Sequence, residues 1–136
     1  SATSTPSSLA RSTAAAARAA ALAMTVAMGA PNLVRGGSLW DGPAASEAIQ
    51  AGLVDVLCSD FRPQAMLEAV FVETDEPLHR RVRRVSTVPA DVLGLSDRGR
   101  LVPGARADIA VVDPEPVPSV TRAFVDGREV FRVDRP

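Results

Sequence analysis

Apolar and polar positions change their period several times along the chain. From Leu9 to Ala23 the run "LARSTAAAARAAALA" is dominated by Ala, the strongest helix former, and Pro6, Ser7 and Ser8 offer N-cap chemistry ahead of it. Met24 to Met28 is a short apolar run closed by Gly29 and predicts a buried strand. The Gly- and Pro-punctuated stretch "GAPNLVRGGSLWDGP", residues 29–43, predicts a loop. Asp41 can cap a short helix with Pro43 in its first turn, and Gly52 is placed to end it. Leu53 to Ser59 predicts the next strand, and Pro63 opens a helix running to about Glu73. Pro77 opens another, in which Leu78, Val82 and Val85 share one face while His79, Arg80, Arg81, Arg83 and Arg84 lie mostly off it.

Beyond Gly94 the texture turns to β. Ile109 to Val112 is a β-branched run, and "VTRAFVDGREVFRV" alternates on either side of Asp126-Gly127, a strong hairpin signal. Helices and strands thus alternate first, and strands alone follow. The first portion predicts an α/β fold with parallel strands, residues 1–95, and the second, residues 96–136, part of a separate small β-domain.

Composition narrows the function more by exclusion than by assertion. Of 136 residues 46% are apolar and only 4% aromatic, so the core is expected to be Ala, Val and Leu. Fifteen basic residues, all Arg, face sixteen acidic ones for a net charge of −1, which argues against a polyanion-binding protein. The Arg cluster around His79 predicts a solvated helix face, with no aromatic platform for nucleic acid beside it. A single Cys forms no internal disulfide, and Cys58 inside its apolar run predicts a small buried hydrophobe; the usage suits a reducing, cytoplasmic setting. No run approaches the ~20 apolar residues that span a bilayer. The Ala-rich N-terminal stretch has the crude outline of a leader, but Arg18 interrupts it and Ala is a weak membrane hydrophobe. No membrane or nucleic-acid partner is expected, and homo-oligomerisation is left open.

The stretch "VDVLCSDFRP", Val54 to Pro63, carries the sharpest chemical signal. Parallel strands buried on both faces read as continuous apolar runs, and active sites collect where such strands end. Asp60 sits at that exit, and residues 29–43 follow the exit of the preceding strand. If the strands are neighbours, Asp60 shares a mouth with Asn32, Arg35 and Ser38, and Arg35 suits recognition of an oxyanion or phosphate. The plainer alternative, that Asp60 caps the helix opening near Pro63 and Arg35 is a loop charge, is equally open from pattern alone. No HxH, CxxC, GxSxG or P-loop completes a catalytic set.

Two motifs add a resemblance. "DRGRLVPGARADIAVVD", Asp97 to Asp113, resembles the C-terminal signature of the amidohydrolase superfamily. "MGAPNLVRGGS", Met28 to Ser38, with "AGLVDVLCSDFRP" and "VRRVSTVPADVLGL", resembles the diphosphatases of phosphonate degradation that act on α-D-ribose 1-methylphosphonate 5-triphosphate. The resemblance implies the last two βα units of a (β/α)₈ barrel, whose barrel alone takes about 250 residues, followed by strands of a small β-sandwich. It implies one or two divalent metals, zinc or similar, most of whose ligands lie on earlier strands. Asp60 would be the aspartate ending strand 8, near a metal, orienting the nucleophilic water and taking its proton. Asn32, Arg35 and Ser38 would contact a small anionic substrate.

There is one departure: the family's His-Ser-Gly-Asn after the Ser is replaced by Leu39, Trp40, Asp41 and Gly42. Pyrophosphate release from a ribose 5-triphosphate is the activity the resemblance implies, with C–N bond hydrolysis or a non-catalytic remnant as alternatives. Two strands cannot close a barrel, so the 136-residue chain alone is expected to be inactive and prone to aggregate.

Overall fold

The computed structural model describes residues 8–34, 45–72 and 75–134. The chain divides into two compact units, Ser1–Val72 and Glu73–Pro136. The division falls ahead of the change in texture after Gly94, because the helices that follow Pro77 belong to the second unit.

In the first unit, helix α1 spans Ser8–Ala21. It closes with Ala23 at φ 54°, and the Met24 amide reaches back to the Ala19 carbonyl at 3.0 Å. That left-handed residue is more usually Gly. The following strand β1 is Ala27–Gly29, shorter than the apolar run predicts, with Met24 exposed in the lead-in. Residues 30–34 are not loop but a short helix, α2, Ala30–Val34. Pro31 lies in its first turn, where a missing N–H costs nothing, and Ala30, Pro31 and Leu33 are buried. Helix α3, Ala45–Gln50, ends before Gly52, whose φ of 69° reverses the chain. Asp41 and Pro43, expected at its start, lie outside the described residues.

Strand β2, Val56–Cys58, pairs in parallel with β1 in the register Ala27↔Val56, Met28↔Leu57, Gly29↔Cys58. At the entry of the pair, Asp55 accepts a hydrogen bond from the Val26 amide at 2.9 Å. Helix α4, Gln64–Phe71, follows, burying Ala65, Ala69 and Val70. The core is as Ala-rich as the composition predicts. Leu33, Val54, Leu57 and Val70 are its larger members, each contributing about 2 kcal/mol by leaving water.

The second unit opens with α5, Leu78–Val85, the helix that Pro77 is expected to start, and a separate α6, Thr87–Val92. Pro89 explains the break at Ser86: in an unbroken helix its ring would meet the carbonyl four residues back, and it has no N–H to donate there. The expected apolar stripe of α5 is not its covered side. Leu78 and Val82 are exposed, while Arg84, expected in a solvated cluster, is largely covered and paired with Glu76. His79 is exposed, as expected of a lone surface histidine.

Strands β3 (Ile109–Asp113), β4 (Ser119–Val125) and β5 (Arg128–Arg132) form an antiparallel sheet in that order. The Asp126-Gly127 hairpin forms as predicted, with φ 51° and 76° at its two central residues, the left-handed pair that a two-residue turn requires. The Asp126 amide donates to Asp108 and the Gly127 amide to the Ala107 carbonyl, tying the tip back to the chain before β3. No helix among the described residues is long and apolar enough to cross a membrane.

One cross-strand pair would repel. Arg122 and Arg132 are direct partners in the β4–β5 ladder, and Glu129 bonds both, with Arg122 Nε at 3.1 Å and Arg132 Nη2 at 2.8 Å. Arg132 first and then Arg122 hold the Glu129 carboxyl down from its ordinary 4.5 to about 2. A lowered folded-state pKa stabilises above the unfolded value and fades as pH falls through the folded one. A ¹³C titration of the Glu129 carboxyl should therefore keep it ionised through pH 4 and place its midpoint near 2. A midpoint near 4.5 would mean that the cluster does not persist in solution.

Candidate functional site

The parallel pair delivers its C-terminal ends side by side, with Gly29 opposite Cys58. Past Cys58 the chain turns sharply, the Arg62 amide donating to the Ser59 carbonyl at 3.0 Å across Asp60 and Phe61. Asp60 occupies the left-handed region at φ 54°. Asp tolerates that region better than most residues, yet a non-Gly residue there is uncommon and clusters at functional sites.

The carboxylate of Asp60 points back over β1. A Cβ placed on Gly29 would lie 3.2 Å from Asp60 Oδ2 and 3.7 Å from Asn32 Nδ2. Asp60 and Asn32 thus converge on the same glycine from two elements, the turn after β2 and helix α2. Of the four expected site residues, the structure brings this pair together. Arg35 and Ser38, the other two expected members, lie outside the described residues, as do Leu39 to Gly42.

The alternative of a helix cap does not describe Asp60. The N-cap of α4 is Pro63, and no side chain bonds the helix's first amides. No hydrogen bond or ion pair engages the Asp60 carboxylate among the described residues, and it is exposed. Its neighbour Arg62 is committed elsewhere, pairing with Glu68 at 2.7 Å. An exposed carboxylate on a constrained backbone, with an amide side chain beside it, can accept a proton or orient a polar substrate group.

Cys58 departs from expectation. It is exposed rather than buried, and its thiol donates to the Met28 carbonyl at 3.4 Å across the pair. Gly29 is the site residue that pattern reading passes over, having marked it only as a strand end. A glycine in a strand signals a close approach, but the sequence does not say of what.

A metal centre takes three or more protein donors as a rule. Among the described residues no three His, Cys, Asp or Glu side chains group closely enough to hold a metal ion. Asp60 is a suitable single oxygen donor, so these residues do not make a metal centre by themselves.

The alpha-D-ribose 1-methylphosphonate 5-triphosphate diphosphatase of Escherichia coli (strain K12) is 45% identical over 93 residues, covering 65% of this chain and 25% of the relative. The chain thus spans about a quarter of the length of the curated relative it matches. The crystal structure of an amidohydrolase from Thermotoga maritima MSB8 is similar over 90% of this chain and 35% of that one, at 25% identity and a TM-score of 0.65. The profile of the amidohydrolase family matches residues 1–135. With nearly the whole chain inside that match, it belongs to the amidohydrolase family.

Proposed function

We propose that this chain supplies the Asp60 side of the active site in a metal-dependent hydrolase that releases pyrophosphate from a ribose 5-triphosphate bearing a phosphonate. The observation that carries the reading is Asp60 itself. Its carboxylate is held at the exit of a parallel strand pair by a left-handed backbone, without cap or ion pair among the described residues. Similarity to a named diphosphatase, 45% identical over 93 residues, supports this substrate class.

In this reading β1–α2 and β2–α4 are the last two βα units of a (β/α)₈ barrel, with residues 1–95 on the barrel side. The β3–β5 sheet then belongs to the small β-sandwich. Water adds across the anhydride between the α- and β-phosphates, giving pyrophosphate and the 5-phosphate, and Asp60 orients that water and takes its proton. Asn32 donates its amide to the anionic substrate. Arg35 and Ser38 neutralise and bond its phosphate or phosphonate oxygens, an assignment resting on the motif alone. Asp60 would be the one donor from these residues to a divalent metal, which would supply a water acidic enough to attack near neutrality.

The full-length enzyme incubated with a ribose 5-triphosphate should release pyrophosphate and 5-phosphate in equal amounts. Chelation should abolish the release, and added zinc should restore it. A second reading is hydrolysis of C–N bonds, since Leu39-Trp40-Asp41-Gly42 departs from the tetrapeptide of the phosphonate-pathway family. Turnover of a cyclic amide without pyrophosphate release from the triphosphate would decide for it.

A further inference from the structure

We infer that Gly29 is a positioning residue for the Asp60 carboxylate: its missing side chain is the space into which that carboxylate is set. The inference rests on the reading of Asp60 as a catalytic carboxylate and extends it to a second residue on the neighbouring strand.

Gly29 is not required by its backbone. It lies in β1 outside the left-handed region, unlike Gly52, Gly94, Gly99, Gly104 and Gly127, so any residue could adopt its conformation. Glycine in a strand forgoes packing and loses the most chain entropy on folding. What it admits here is Asp60. An added methyl would stand 3.2 Å from Oδ2 and 3.5 Å from Cβ of Asp60, closer than carbon tolerates without some displacement, but at an ordinary 3.7 Å from Asn32 Nδ2.

The methyl therefore squeezes one partner and merely touches the other. Of the two sides of the squeeze, the strand is fixed by its register with β2, whereas the Asp60 side chain is exposed and unbonded among the described residues. The carboxylate gives way and the fold does not.

Gly29→Ala in the full-length enzyme is expected to lower kcat on the order of 10-fold while KM changes by less than about 2-fold, since small misplacement of a reacting group is costly in rate. The melting temperature should hold or rise, because Ala restricts the unfolded chain. Combining Gly29→Ala with Asp60→Asn should add nothing to the loss from Asp60→Asn alone, as expected of two residues acting through one group. An additive loss, or wild-type kcat in Gly29→Ala beside an inactive Asp60→Asn, overturns the inference and leaves the role of Asp60 standing. Full activity in Asp60→Asn overturns both. If Gly29→Ala melts early, Gly29→Ala/Asp60→Gly should melt with Asp60→Gly; a persisting deficit means the methyl meets something other than Asp60 and overturns the inference.

Discussion

Asp60→Asn in the full-length enzyme is expected to reduce kcat by about three orders of magnitude, within the range that a positioned acid–base group contributes, while leaving the melting temperature unchanged. The two halves of this result have separate causes. Asn has the shape of Asp and adopts the left-handed region as readily, so the φ of 54° at this turn is not disturbed. The carboxylate caps no helix and pairs with no cation among the described residues, so its charge contributes little to the fold. What Asn cannot do is accept the proton of an attacking water. Steady-state kinetics with a thermal melt on the same sample would separate these halves. Undiminished turnover removes Asp60 from the mechanism, and a large drop in melting temperature would return it to a structural role.

Gly99→Ala should destabilise the second unit by about 3 kcal/mol, combining the cost of a left-handed Ala with that of overpacking. The segment 97–100 lies against the helix break: Thr87 Oγ1 donates to the Gly99 carbonyl at 2.6 Å. A Cβ at Gly99 would come within 2.6 Å of Ala90 Cβ and 2.8 Å of the Ser86 carbonyl oxygen, and Gly99 already holds φ at 81°. One of these obstacles is backbone and the other a short, buried methyl, so neither can swing aside. Urea unfolding of the full-length protein, followed through a probe in the second unit, would register the loss as a lower midpoint at unchanged slope. A midpoint matching wild type would mean that this contact is not made in solution. The contrast with Gly29 is one of neighbours: there the obstacle is an exposed side chain that can move, and the cost falls on function.

The features legible in the sequence were those fixed by near neighbours. Asp126-Gly127 announced its hairpin because two consecutive left-handed residues leave few alternatives. The strand cores at Met28 and Leu57, with Asn32 and Asp60 each past a strand's end, followed from apolar runs with turn residues at their ends. Features set by residues farther off were missed. Pro89 divides the helices by acting four residues upstream. Pro31, taken as a loop marker, sits in the first turn of α2, where proline is tolerated. Arg84 is covered because Glu76 meets it, and Cys58 is exposed although its neighbours in sequence are apolar. The space Gly29 leaves for Asp60 depends on pairing with Cys58, far along the chain, which periodicity cannot express.

Cys58 also has an experimental consequence. These 136 residues contain one thiol, it is exposed, and it stands two residues before Asp60 on the strand that opens into the mouth. A maleimide-linked fluorophore or spin label would attach at the rim without any engineered cysteine in this part of the chain. Its rate of attachment would gauge how far the rim is covered: fast where the mouth stands open, slow where another segment or a bound substrate shields the sulfur.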